Sequence, residues 1–343
     1  MNDAYYTVIL LFDLTAFAAA VGALSCLVWV VPWGALPETA VTEAAWRRLR
    51  FLLAMAMVVL TLTSLLMLIV QAAQMSRLGL TAVWPILPTV LLRTHYGAVW
   101  LVRVAALAVV WIGWLLTAPA GRVRTMSVMG VAAAGVAWTY SATSHAADKG
   151  DFTWAEWTHW LHVLSGSLWG GCLLAVALSL SGLLVPRTAS HKAFIAESMH
   201  RLSYIAMFAV IAISVTGVVS AVFQLTQVQD LWETDYGRML VIKASVVLAM
   251  LLFGVFNHFA MSPALRSWFS GFRTHRQTEA PTHPPSRRQG SMGKMMLWHR
   301  RIMNVQAVLV VVVLLCAILL AATMPPRQHA AMKHPQAGSH VMH

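Results

Sequence analysis

Charge is the scarcest property of this chain. Only 10% of its 343 residues are Asp, Glu, Lys or Arg, where a soluble globular domain carries roughly 25%. That shortage excludes an ordinary water-soluble fold. Acidic residues are scarcer still, 12 against 24 basic ones. The three cysteines, Cys26, Cys172 and Cys316, form no CxxC and lie singly in apolar runs. They offer no disulfide framework and read as small packing residues. Walker, GxSxG and HExxH motifs are missing, so nucleotide-driven pumping and hydrolase chemistry find no support. The chain is expected not to be an enzyme.

What is present is apolar surface. Hydrophobic residues make up 59% of the chain and mean hydropathy is +0.70, which excludes a disordered polymer. Eight apolar segments, near 6–31, 51–73, 97–117, 125–143, 158–184, 202–224, 238–260 and 303–323, can each cross about 30 Å of hydrocarbon as a helix. The first has no basic leader and carries Asp13, so it is expected to be a span rather than a cleaved signal.

The formal net charge of +12 would suit a nucleic-acid binder if the chain were soluble. Among apolar spans it encodes orientation instead. Of the 24 Lys and Arg, sixteen fall in loops on one face and five on the other, while Arg103, Arg238 and Lys243 lie within spans. Asp148, Asp151, Glu156, Asp230, Glu233 and Asp235 all fall on the poorer face. Both termini are therefore expected outside, in the periplasm. The expected class is all-α: a polytopic membrane protein of eight transmembrane helices, with the lipid bilayer as partner and no nucleic acid.

The chain also repeats itself. Thr94-His95-Tyr96-Gly97 precedes Arg103 at the spacing by which Thr234-Asp235-Tyr236-Gly237 precedes Lys243. Arg48-Leu49 matches Arg201-Leu202, Thr61 and Thr63 match Ser214 and Thr216, and Asp13 and Gly22 fall opposite His162 and Gly171. Two parallel four-helix repeats follow, 1–150 and 151–326, a design that often places a shared site between halves. A Pro-, Arg- and Ser-rich stretch at about 270–292 reads as a flexible cytoplasmic linker, and 327–343 as a periplasmic tail.

Chemistry gathers at the outer face. His159 and His162 are spaced i,i+3 and share one side of the fifth span. His145 and His95 belong to the same level, and Asp13 sits about two turns into the first span. Imidazole suits copper or zinc and also binds haem iron. The tail adds His329, Met332 and His334, with His340, Met342 and His343 beyond, and Met324 closes the last span. Thioether sulfur favours Cu(I), so a short tract mixing His and Met reads as metal capture. The expected ligands are His145, His162, His159, His95, Asp13, Met324, His329, Met332 and His334. An ion pair between Asp13 and Arg103 is the other reading of those two residues.

Several short motifs, in this order and spacing, resemble the copper resistance protein D (CopD) family of bacterial inner-membrane proteins. They are Ser144-His145-Ala146-Ala147, Trp160-Leu161-His162-Val163-Leu164, Leu168-Trp169-Gly170-Gly171, Thr234-Asp235-Tyr236-Gly237-Arg238 and Thr323-Met324-Pro325-Pro326. The resemblance implies copper handling from periplasm to cytoplasm, with His145 and His162 on the outer side and a periplasmic copper chaperone as a donor. Copper, as Cu(I), is the expected metal. The alternative is a haem-b electron-transfer protein with intramembrane histidines as axial ligands and Arg103 and Lys243 on the propionates.

Overall fold

The computed structural model describes residues 3–33, 40–117, 122–148, 150–183, 189–256, 286–323 and 325–327. Among these residues every regular element is helical. In chain order they are α1 (Asp3–Ser25), α2 (Ala40–Ser76), α3 (Leu87–Arg93), α4 (His95–Leu116), α5 (Arg122–Ala142), α6 (Trp154–Ala175), α7 (Ala189–Gln224), α8 (Asp230–Glu233), α9 (Asp235–Phe256) and α10 (Ser286–Ala322). Short π-helical turns extend α1 over Cys26–Val30 and α6 over Val176–Leu180. The last helix starts at Ser286, so the final seven residues of the expected linker (286–292) are helical, while 270–285 lie outside the described residues.

Seven of these helical stretches are long and apolar enough to cross a membrane; α5 falls short, although the sequence reading made it a span. It has 21 residues, or roughly 31 Å of rise, but Ala, Gly, Ser and Thr dilute its hydropathy. Those small and hydroxylated side chains suit a helix packed between α4 and α6 better than one facing lipid. Three helices also begin well before their apolar stretch: α2, α7 and α10 run to 37, 36 and 37 residues. Hydropathy locates only the part of a helix in hydrocarbon, whereas backbone hydrogen bonding continues into water.

Burial is concentrated on two helices. In their most apolar stretches α1 is 56% buried and α6 67%, against 11% for α7 and 6% for α9. They form the centre, and the others pack around them. Where α1 and α6 cross, Gly22 meets Gly171 so closely that a Cβ on either would overlap the other helix's backbone. Arg48, in α2, donates to the Ser179 carbonyl in the π-turn that extends α6, at 3.5 Å. We expect Gly22→Val to push the two helices apart at a cost of at least about 1–3 kcal/mol. The check is the yield of monodisperse protein in detergent; a wild-type yield would mean the crossing is looser than described.

The two TxYG motifs build one local device twice. Thr94 Oγ1 accepts from Gly97 N at 3.0 Å and donates to the Val90 carbonyl at 2.6 Å. Thr234 Oγ1 accepts from Gly237 N at 3.0 Å and donates to the Asp230 carbonyl at 2.7 Å. Each threonine thus caps the helix that follows and ties it to the one before. A Cβ on Gly97 would strike the carbonyls of Val90 and Leu91, and one on Gly237 the carbonyl of Asp230, so both positions need glycine. Outside the spans, the Thr226 hydroxyl and the Gln227 and Thr226 amides hydrogen-bond the Asp230 carboxylate and hold its pKa below the usual range.

Candidate metal site on the central helices

Asp13 on α1 is fully buried and Arg103 on α4 is 9% exposed. The Arg103 Nη2 group donates to both Asp13 oxygens, at 2.8 and 2.6 Å. Thr63 Oγ1 donates to Oδ1 at 2.5 Å and the Tyr140 hydroxyl to Oδ2 at 2.6 Å. Arg103 Nε is satisfied by Ser64 Oγ at 2.9 Å, and its guanidinium lies 4.5 Å from the Tyr140 ring centre. Asp13, expected among the metal ligands, therefore has both oxygens taken by protein donors. A carboxylate beside a guanidinium in low dielectric pairs before it binds anything else. Tyr140 and Ser64, which complete the network, were not singled out in the sequence, because Tyr and Ser are common in helices and only packing aims them here.

The corresponding level of the second half carries histidine. His162 Nδ1 lies 3.0 Å from Thr216 Oγ1 on α7. That hydroxyl donates its own proton to the Ala212 carbonyl at 2.7 Å, so toward the ring it acts as an acceptor. The Ile213 carbonyl, 3.2 Å from the same hydroxyl, also bears on the ring, and Gly217 lies against its Cε1–Nδ1 edge. Nδ1 therefore carries the proton and Nε2 holds the free lone pair.

His159, one turn outward, repeats the logic. Its Nδ1 lies 3.3 Å from Ser141 Oγ and 3.5 Å from Ser144 Oγ. Ser141 Oγ donates to the Glu156 carbonyl at 2.6 Å and Ser144 Oγ to the Ser141 carbonyl at 2.8 Å, so both hydroxyls are acceptors for the ring. Metal-ligating histidines are oriented in this way, with the second nitrogen anchored so that the first points its lone pair at the ion. Lys243 on α9 acts electrostatically on both rings. Thr216 was legible as the partner of Thr63 in the repeat, but its orienting role was not.

The other expected ligands are placed unevenly. His95 Nε2 lies 3.3 Å from the Ala142 carbonyl and 3.6 Å from Asp151 Oδ1, which puts it at the C-terminal end of α5. The backbone of His145 opens a short 3-10 turn, His145–Ala147, and its side chain lies outside the described residues. So do Met324, His329, Met332 and His334. Among the described residues no group of three or more His, Cys, Asp or Glu side chains is close enough together to hold a metal ion. His159 and His162 thus stand one turn apart on α6, each with Nδ1 held by a hydroxyl.

An all-helical, multi-pass membrane protein with paired, oriented imidazoles on its central helix is the class that fold and site define. Residues 1–154 match the family model for the copper resistance protein D-like N-terminal domain, and residues 196–320 match that for copper resistance protein D. The chain belongs to the copper resistance protein D family. It is 32% identical over 178 residues to the copper resistance protein D of Pseudomonas syringae pv. tomato, covering 50% of this chain and 56% of that one. It is 27% identical over 178 residues to the copper transport protein CutJ of Bacillus subtilis (strain 168), covering 50% of this chain and 32% of that one. The match therefore spans about half the length of the first relative and a third of the second. No solved structure matches.

Proposed function

We propose that this protein is a copper-binding protein of the bacterial inner membrane that moves copper from periplasm to cytoplasm. The observation that carries the reading is the pair of anchored imidazoles. His159 and His162 stand on one face of α6 with Nδ1 fixed by hydroxyls and Nε2 left to bind a soft or borderline ion. Copper as Cu(I) is the cargo, with His145 and Met324 completing the coordination. The tail beyond Pro326 captures copper through His329, Met332 and His334 and holds it near the site at high effective concentration. A periplasmic copper chaperone is the donor. Family membership and the names of the two relatives support the copper assignment.

In this reading α5 is an eighth crossing, packed between α4 and α6 on one side and presenting Val123, Val128 and Val131 outward on the other, and both termini face the periplasm. The halves are two parallel four-helix repeats about an axis along the membrane normal. The duplicated TxYG caps support that relation, as does the Gly22–Gly171 contact, where repeat-equivalent residues meet each other. The protein is not an enzyme: copper runs down its gradient or from the donor.

Two measurements test the function. Protein purified in mild detergent is expected to bind Cu(I) stoichiometrically and to show no Soret band. Cells expressing it at limiting external copper are expected to accumulate more cytoplasmic copper than cells expressing His159→Ala/His162→Ala. A strong Soret band would replace copper with haem b, and equal accumulation would remove the transport role.

A further inference from the structure

Hydrogen bonds tie α4 to α2, and all three indoles of α4 take part. Trp100 Nε1 donates to the Ser64 carbonyl at 2.9 Å, Trp111 Nε1 to Thr61 Oγ1 at 3.3 Å and Trp114 Nε1 to the Arg50 carbonyl at 3.2 Å. Arg50 donates in return to the carbonyls of Thr117 and Trp114, at 3.0 and 2.8 Å. Arg103 Nε adds its bond to Ser64 Oγ at 2.9 Å.

The counterpart residues of α7 and α9 lack these groups. In the register set by the two TxYG motifs, Leu240, Leu251 and Gly254 of α9 stand opposite Trp100, Trp111 and Trp114. In the register that matches Thr216 to Thr63, α7 carries Gly217 for Ser64, Ser214 for Thr61 and Ser203 for Arg50. Among the described residues no hydrogen bond joins α9 to α7. The apolar stretch of α9 is 6% buried, against 22% for α4. Its anchors lie elsewhere. Thr234 caps its start, and Gln306 Nε2 on α10 donates to the Met250 carbonyl at 3.2 Å.

We infer that α7 and α9 form a gate beside the imidazole pair, and that copper leaves His159 and His162 through the seam between them. The inference rests on the reading that this protein moves copper. One wall of the seam is already at the site, since α7 supplies Thr216 to His162 Nδ1 and lays Gly217 against the ring. The other wall is α9, the helix that the repeat sets opposite α4.

The physical reason lies in the solvent. Within hydrocarbon no water replaces a hydrogen bond that is pulled apart. The α2–α4 seam, held by indoles and guanidinium groups, therefore resists separation, whereas the α7–α9 seam has no such bond to break. Helices that pack without ties can move against each other as rigid bodies. The cap at Thr234 fixes the start of α9, so its C-terminal end travels furthest. That end carries Gly254, with Ser203 as its counterpart on α7, where the first half has the reciprocal Trp114–Arg50 clasp. In the proposed orientation it faces the cytoplasm. The tied half is thus the fixed part and the untied half the moving one, a division found where repeats rock against each other.

The test closes the seam chemically in the folded, purified protein. Ser214→Cys/Leu251→Cys puts one thiol on each helix, at the positions opposite Thr61 and Trp111, and a short bis-maleimide joins them. Transport is read in proteoliposomes as Cu(I) reaching an enclosed chelating dye, and Cu(I) binding is titrated on the same samples. The linked protein is expected to bind Cu(I) as wild type does and to lose transport. The unlinked double variant, and each single variant treated with the reagent, should still transport. Leu251→Trp, which offers Ser214 the indole that Trp111 gives Thr61, needs no reagent and should slow transport with binding unchanged. Transport at the wild-type rate by the linked protein overturns the gate. So does failure of the link to form, since helices that never approach cannot close a seam. Loss of binding together with transport overturns it too, because the link then acts on the site itself. Wild-type protein that binds Cu(I) but moves none refutes the transport reading, and the gate with it.

Discussion

Asp13→Ala should destabilise this protein by about 3–5 kcal/mol, the usual consequence of stranding one member of a buried ion pair. Arg103 is 9% exposed and would keep its charge with only Ser64 and Tyr140 as partners. Tyr140 would also lose the acceptor for its hydroxyl, while Thr63 would fall back on the Val59 carbonyl. Replacing both charges, as in Asp13→Leu/Arg103→Met, should recover most of the loss, because two desolvation penalties disappear together. Thermal unfolding in detergent, read as a double-mutant cycle, separates the cases. A single variant within about 0.5 kcal/mol of wild type, the range of ordinary surface substitutions, would show that water reaches the pair.

Thr216→Val should weaken copper binding by roughly 10- to 100-fold, the usual cost of losing a partner that orients a metal-ligating histidine. Valine keeps the shape but removes the acceptor that holds His162 Nδ1–H. Thr216→Ser should bind nearly as wild type, since the hydroxyl is retained. His162→Ala should abolish binding at the His159–His162 pair while the tail keeps loosely held metal. Competition with a Cu(I) chelator gives the affinities. If Thr216→Val binds like wild type, the ring is not positioned from α7 and the tautomer argument fails.

The two experiments address Asp13 and His162, which the sequence repeat sets opposite each other. In the first, α1 presents Asp13 to Thr63 on α2 and Arg103 on α4; in the second, α6 presents His162 to Thr216 on α7, with Lys243 on α9 nearby. Asp13 meets an ion-pair partner in Arg103, whereas His162 meets a hydroxyl, and its proposed role in copper binding rests on that difference.

Much of this was legible in the residues alone. Bilayer thickness and backbone hydrogen bonding make a long apolar run a helix, so the spans followed from hydropathy, and the matched Thr94-Gly97 and Thr234-Gly237 signatures marked the duplicated caps. Spacing placed His159 and His162 on one face of one helix because the α-helical period is rigid. Hydropathy, however, does not change when a helix turns about its own axis. Which residues of α1 meet α4, α5 and α6 was therefore decided only by packing. Tertiary structure paired Asp13 with Arg103 and gave Thr216 and Ser141 to the two imidazoles. α5 reads weakly as a span because the Gly, Ser and Thr among its residues carry little apolar signal, although Val123, Val128 and Val131 keep one of its faces apolar and exposed.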